Sequence, residues 1–267
     1  MRIAILYICT GRYNIFWKDF YRSCEKYFIN NAVKTYYVFT DAETVYNEDD
    51  NSVKKIYQEN LGWPGNTLFR FRIFSKCIDE LKDYDYVFFF NANMLFVKEV
   101  SENILSNDAL IVTEHPGKWK RKRKHFTYET NSESLAYISE NQGDVYVCGG
   151  LNGGTGEIYT KMIRDLEESI DKDYERGIIA KWHDESHLNK YILTHNYKLL
   201  DAGYACPEGF ESKLPFDCKV VIRDKEKYGG HAFLRQESNI MVEKKEQPKV
   251  YNCWRNLLSN MKKIIFG

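Results

Sequence analysis

The run Tyr86-Val87-Phe88-Phe89-Phe90, bounded by Asp85 and by Asn91-Ala92-Asn93, constrains the fold more than any other stretch of this chain. Consecutive apolar residues without a polar face form a strand buried on both sides, the environment of a parallel sheet covered by helices. Ligands of open α/β sheets bind beyond the carboxyl ends of such strands. Here that end carries two amides, Asn91 and Asn93, spaced so that both can reach one site.

The flanking sequence alternates in the same sense. Residues 3–9 read as a first strand, broken at Thr10-Gly11, and Ile15, Phe16, Phe20, Cys24, Tyr27 and Phe28 then recur at helical spacing. Residues 36–40 and 53–57 read as strands. Asn66 is placed to cap a helix whose apolar face is Leu68, Phe71, Phe74, Cys77, Ile78 and Leu81. Further on, residues 109–113 and 144–148 read as strands. Ile158, Met162, Ile163, Leu166 and Ile170 mark a helix, and another covers 185–193. The expectation is one α/β domain over 1–235, with a mixed, mostly parallel central sheet flanked by helices. A basic amphipathic tail over 236–267 follows. In it, 251–266 sets Trp254, Leu257, Leu258, Met261, Ile264 and Ile265 against Arg255, Lys262 and Lys263. Such a helix either lies on a membrane surface or packs on the domain.

The formal net charge of zero excludes a global attraction to nucleic acid or membrane. Seven cysteines, odd in number, scattered and without C-x-x-C, suggest neither a disulfide framework nor a zinc site. With no Asn-x-Ser/Thr sequon, no signal-peptide pattern and no apolar run of membrane-spanning length, a reducing cytoplasmic setting is expected, with bacterial origin plausible.

Four motifs carry candidate chemistry. Cys148-Gly149-Gly150-Leu151-Asn152-Gly153-Gly154 either lets backbone approach a bulky ligand or makes tight turns, and turns are the default reading. Lys181-Trp182-His183-Asp184-Glu185-Ser186-His187 sets an aromatic face beside carboxylates, which can stack on and hydrogen-bond a sugar. Its two histidines, at i and i+4, lack the Glu after the first His and the third ligand that a zinc site needs. Residues 224–235 read as a solvated, glycine-broken loop, although their basic side chains can clamp a diphosphate. Residues 118–124 hold six cations around Trp119. That cluster fits a solvated loop or one that orders over a ligand better than it fits nucleic acid.

Together with His115-Pro116, Phe126-Thr127-Tyr128-Glu129, Ala136-Tyr137-Ile138 and Gly143-Asp144, these stretches follow the order of motifs in glycosyltransferase family 6. That family contains the histo-blood-group A and B transferases and α-1,3-galactosyltransferase. The chain resembles it from about Ile5 to Arg235, most closely between Trp182 and Tyr191. The resemblance implies a GT-A fold and retaining transfer of galactose or N-acetylgalactosamine from UDP, commonly to the 3-OH of a galactose bearing α-1,2-fucose. Matched residue by residue, Ile8, Cys9 and Tyr13 resemble the base-binding positions, and Arg70 resembles an arginine that reaches the donor. Asn91 and Asn93 stand where the family has metal-binding aspartates. Glu185 matches the candidate nucleophile or charge stabiliser, and Asp184 a donor-sugar contact. His115, Thr127 and Trp182 match acceptor contacts, Lys227 and Arg235 match the basic residues that close over the diphosphate, and 118–124 falls in a loop that either orders over the UDP-sugar or stays solvated.

Two departures shape the expected activity. An amide lacks the charge that makes a carboxylate a good ligand for a hard cation, so the Asn pair implies that no divalent metal cofactor is required. The chain also lacks the family's Trp-Asp pair after Cys206, and Glu208 is the candidate replacement. Small residues at Cys148-Gly149-Gly150 imply room for an N-acetyl group, hence UDP-GalNAc as donor, with UDP-Gal as the alternative. The expected partners are a UDP-sugar and a fucosylated galactoside, with a membrane contact through the tail. A carbohydrate-binding protein without catalysis is the rival from another class.

Overall fold

The computed structural model describes residues 1–211 and 214–236. The tail helix expected over 251–266 therefore lies outside the described residues. In chain order the elements are β1 (Arg2–Ile8), α1 (Trp17–Tyr27), β2 (Val33–Thr40), β3 (Val53–Tyr57), α2 (Gly62–Leu68), α3 (Arg70–Ser75), α4 (Ile78–Leu81) and β4 (Tyr86–Asn91). Then come β5 (Met94–Phe96), β6 (Leu110–Glu114), β7 (Val147–Thr155), α5 (Gly156–Glu175), α6 (Asp184–Tyr191), β8 (Tyr197–Leu200), β9 (Cys206–Pro207), β10 (Val220–Ile222) and α7 (Gly230–Leu234).

Seven strands form one sheet in the order β3-β2-β1-β4-β7-β6-β8. Only β7 runs against its neighbours; every other pairing in this sheet is parallel. The mixed, mostly parallel α/β sheet expected from the sequence is thus observed. A small second sheet, β5-β10-β9, follows directly from the end of β4.

The apolar run lies in the middle of the main sheet and supplies both of its faces. Phe88 and Phe90 belong to the core that contains Phe20 and Cys24 of α1. Val87 and Phe89 belong to the core made with α3 and α5, through Phe74, Tyr159 and Ile163. This two-sided burial is why the run shows no alternation.

Two local expectations are corrected. The glycine block is not a turn but the strand β7, buried over nearly its whole length. Gly153 pairs with Phe88, and any Cβ there would overlap the Phe88 ring. These glycines make room for the aromatic strand beside them. The helix expected from Asn66 to Leu81 is three short pieces, with Phe69 and Cys77 out of helical geometry at the joints. Asn66 does not cap; it lies inside α2 and accepts from the Leu61 N–H. Leu68, Phe71, Phe74, Cys77 and Leu81 all remain in one core cluster, because burial rewards the shared face and does not require a continuous helix.

The cysteine expectation is also corrected. Cys206 and Cys218 form a disulfide across a sequence separation of 12, closing the loop between β9 and β10. Cys9, Cys24, Cys77 and Cys148 are free and buried. Among the described residues no helix is long and apolar enough to cross a membrane.

Candidate active site

A cleft of about 330 Å³ opens at the carboxyl end of β1 and β4, the location expected for an open α/β sheet. Its floor depends on an irregularity in β7. Between Val112 and Thr113 of β6 the partner on β7 jumps from Asn152 to Cys148, leaving Gly149, Gly150 and Leu151 without β6 partners. Such a bulge frees backbone groups and redirects side chains. Both freed groups of Gly149 are used. Its N–H donates to Glu185 Oε2 (2.9 Å), and its carbonyl accepts from Arg70 Nη1 (2.7 Å).

The start of α6 delivers the two carboxylates. Asn189, one turn further along, locks α6 to the sheet by bonding both the N–H and the carbonyl of Val147. The Trp182 N–H donates to Ser186 Oγ (2.9 Å), and His183 reaches φ 53° to turn the chain into the helix. A positive φ at a non-glycine residue is strained, and such strain concentrates at functional sites. Glu185 then receives a second hydrogen bond, from the Tyr146 hydroxyl to Oε1 (2.9 Å). Burial nevertheless raises its pKa, against the pull of these two donors. Asp184 is buried and ion-paired with Arg70 (2.5 Å); burial pushes its pKa up to about 7, with Arg70 opposing.

Arg70 is the hub of this floor. Besides Asp184 and the Gly149 carbonyl, its guanidinium donates to Asn91 Oδ1 (3.3 Å) and lies 4.3 Å over the Phe89 ring. Asn93 is bound elsewhere: its Nδ2 donates to the Arg223 carbonyl (2.8 Å), and the Arg223 N–H returns a bond to its own carbonyl. Arg223 in turn pairs with Asp19 (2.9 Å). One amide therefore contacts a guanidinium, and the other joins β4 to β10. No carboxylate ends β4, and no cluster of three His, Cys, Asp or Glu suited to a metal occurs among the described residues. The chemistry of this donor set does not suit the divalent cation that the aspartates of the family would hold.

Of the residues anticipated from sequence, Ile8, Tyr13, Arg70, Asn91, Asn93, Gly149, Gly150, Asp184, Glu185, His115, Thr127, Trp182 and Arg235 line this single cleft. Four do not reach it. Cys9 and Cys148 are sealed in the core, where burial pushes each thiol up to about 12. Lys227 and Glu208 lie outside the lining and pair with each other (2.7 Å). Besides Arg235, the cation of the 224–235 stretch that lines the cleft is Lys225 and not Lys227, its Nζ 5.2 Å over the Tyr13 ring. The physical reason is local. Residues 225–228 form a 3-10 helix, in which positions two apart diverge by roughly 240°, so only one of the two lysines can face inward. The expected solvated loop is thus a 3-10 turn and α7 packed along the cleft.

Lys118, His183 and His231 also line the cleft, each from a stretch singled out in the sequence, whereas Thr10, Trp63, Asn66 and Thr67 went unanticipated as lining residues. The signal available for Trp63 was an aromatic inside the turn-forming Gly62-Trp63-Pro64-Gly65. Its ring is 4.8 Å from that of His183 and lies under the Arg235 guanidinium (4.0 Å), joining α7 to the start of α6. His187 instead faces α5, 2.9 Å from Ser169 Oγ and 3.6 Å from Asp173, so the two histidines of the motif serve different neighbourhoods. Trp182 Nε1 and His231 Nδ1 line the cleft as buried polar atoms without a hydrogen-bond partner in the protein. Such atoms cost about 1–3 kcal/mol each when unsatisfied, so a polar ligand that accepts from the indole N–H and pairs with the imidazole nitrogen would relieve both.

Comparison with known proteins shows the family. The model of glycosyltransferase family 6 matches residues 1–226. The chain belongs to glycosyltransferase family 6. It is 39% identical over 228 residues to the O-antigen biosynthesis glycosyltransferase WbnI of Escherichia coli, covering 85% of this chain and 96% of that one. It is 32% identical over 200 residues to histo-blood group ABO system transferase 1 of Rattus norvegicus, across 72% of this chain and 57% of the rat protein. Globoside alpha-1,3-N-acetylgalactosaminyltransferase 1 of Gallus gallus is 29% identical over 216 residues, across 76% of this chain and 61% of its own length. The chain thus spans less than two thirds of these vertebrate relatives. As a member of the family it is a glycosyltransferase acting on a sugar donor and an acceptor.

Proposed function

We propose that this family 6 enzyme is a metal-independent, retaining α-1,3-N-acetylgalactosaminyltransferase that moves GalNAc from UDP-GalNAc to the galactose 3-OH of a fucosylated acceptor. The observation that carries this reading is the arrangement around Glu185. A carboxylate is held at the cleft by Tyr146 and the Gly149 N–H, beside a buried Arg70–Asp184 pair and an amide where a metal ligand would be needed.

In this reading the bond between C1 of the sugar and the diphosphate oxygen breaks while the acceptor oxygen bonds to C1 on the same face. The hydroxyl proton passes to the departing diphosphate. Glu185 stabilises the positive charge that develops on the sugar ring. Lys225 and Arg235, lining the cleft, neutralise charge on the leaving UDP, with Lys225 taking the part that sequence motifs assigned to Lys227. The choice of GalNAc rests on the small residues Cys148-Gly149-Gly150 of the family motif, and the two glycines are also required by the crowding of the floor itself. A Cβ on Gly150 would come within 3.0 Å of Asn91 Nδ2 and Met94 Cε, and one on Gly149 within 3.4 Å of Arg70, Asp184 and Glu185.

The test is UDP release from UDP-GalNAc with 2'-fucosyllactose, in excess EDTA and with manganese. Equal turnover in both is expected. Turnover only with manganese would overturn the metal-independent reading, and faster release from UDP-Gal would reassign the donor.

A further inference from the structure

We infer that residues 118–124 form an anion-docking ledge for an acceptor that carries a phosphate diester or diphosphate next to its sugar. This rests on the assignment of the His115–Thr127–Trp182 side of the cleft to the acceptor. Six cations stand within seven residues of a chain whose formal net charge is zero, so the cluster is a local feature and not part of a generally basic surface. Lys120, Arg121, Lys122, Arg123 and Lys124 form no ion pair among the described residues. Lys120, Lys122 and Lys124 are exposed to solvent.

The segment is pinned in place. The Trp119 ring packs edge-on against Phe216 of the disulfide-closed loop (4.7 Å). Arg123 donates to the carbonyls of Gln142 (2.6 Å) and Ser139 (2.9 Å) and lies 4.4 Å over the Tyr128 ring. Lys118 Nζ donates to the His125 carbonyl (2.9 Å) and closes the segment on itself. Lys120 sits in the left-handed region at φ 53°. These anchors consume arginine donors and backbone while the Lys122 and Lys124 ammonium groups form no ion pair among the described residues.

The ledge adjoins the acceptor side of the chemistry. Lys118 lines the cleft with His115 and Thr127, and its Nζ lies 5.7 Å from the centre of the Tyr146 ring, whose hydroxyl holds Glu185. The cations assigned to the donor diphosphate, Lys225 and Arg235, come from a separate segment, so the donor does not need this cluster. Several flexible point charges spread over adjacent residues suit the tetrahedrally spread oxygens of a phosphate diester or diphosphate better than one planar carboxylate, which favours a bidentate arginine.

The experiment compares two acceptors of the same fucosylated galactoside, one with a neutral octyl aglycone and one with an octyl phosphate diester. In the wild-type enzyme at low salt, the phosphodiester is expected to show a KM at least tenfold below that of the neutral acceptor, an advantage that shrinks as salt rises. Lys122→Glu/Lys124→Glu should remove the advantage and leave kinetics on the neutral acceptor unchanged. Calorimetric titration of the phosphodiester acceptor reads the same difference as a Kd without turnover, so a failure of the transferase reading does not mask the docking result. Equal KM and equal Kd for the two acceptors would overturn the proposal. So would lysine-dependent binding of phosphatidylglycerol vesicles without any preference for the phosphodiester, since the ledge would then face a membrane and not the acceptor.

Discussion

Replacing Tyr146 with Phe deletes one hydroxyl from the carboxylate on which the proposed chemistry turns. Tyr146 donates to Glu185 Oε1 and the Gly149 N–H to Oε2, each at 2.9 Å, so the variant leaves Glu185 with the backbone donor alone. A hydrogen bond to a charged group contributes about 1.5–3 kcal/mol. At roughly 1.4 kcal/mol per pKa unit, its loss raises the Glu185 pKa by about one to two units. That adds to the rise already caused by burial. The bond favours the anion, so removing it favours the protonated acid. If turnover needs the carboxylate, the acid limb of the kcat profile moves to higher pH by about one to two units, with KM for UDP-GalNAc little changed. Stability follows the same sign. A carboxyl group whose folded pKa is raised contributes most at pH below its unfolded value, and the contribution is lost as pH rises through the folded value. The unfolding deficit of the variant should therefore be smallest at about pH 3, below the ordinary carboxyl pKa, where the side chain is protonated in both states, and largest in neutral buffer. The assay is UDP release across pH, paired with denaturant unfolding at both ends of the range. An acid limb that stays in place, with kcat reduced uniformly, would refute the assignment of Glu185 as the titrating carboxylate held by Tyr146.

Further substitutions test the other contacts. Arg70→Ala leaves the Asp184 carboxylate buried without its partner and should cost about 3–5 kcal/mol in urea unfolding; Arg70→Met/Asp184→Leu should recover part of that loss. Gly150→Ala brings a methyl group to 3.0 Å from Asn91 Nδ2 and Met94 Cε, so Asn91 must shift and kcat/KM should fall for UDP-GalNAc and UDP-Gal alike, as read by UDP release. Glu185→Gln should reduce transfer by several orders of magnitude while UDP still binds by calorimetry, and unchanged turnover would exclude Glu185 from the chemistry. Opening the Cys206–Cys218 bridge, by reductant or by Cys→Ser at both positions, frees a loop of separation 12. A loop of that size should cost about 3 kcal/mol, read as a drop of roughly 6–12 °C in Tm.

The sequence alone determined the elements whose signal is carried by burial. An aromatic run without a polar face can only be an interior strand, and the alternation around it leaves one sheet class. The ordered motifs identified the family, and thirteen of the residues they named converge on one cleft. What the tertiary structure decided was everything that depends on a neighbour distant in sequence. The glycine block reads as turns until Phe88 lies across Gly153, because glycine is disfavoured in strands except where another group must come close. Cys206 and Cys218 carry no recognisable spacing, and only the pairing of β9 with β10 brings them together. Lys225 and Lys227 are equivalent as letters, and the pitch of one 3-10 turn separates the lysine that faces the cleft from the one that pairs with Glu208. Arg70 reads as a free donor ligand, yet the bulge in β7 and the start of α6 surround it with a carbonyl and a carboxylate. Periodicity reports how much of a side chain leaves water; which partner it meets there is a property of the assembled sheet.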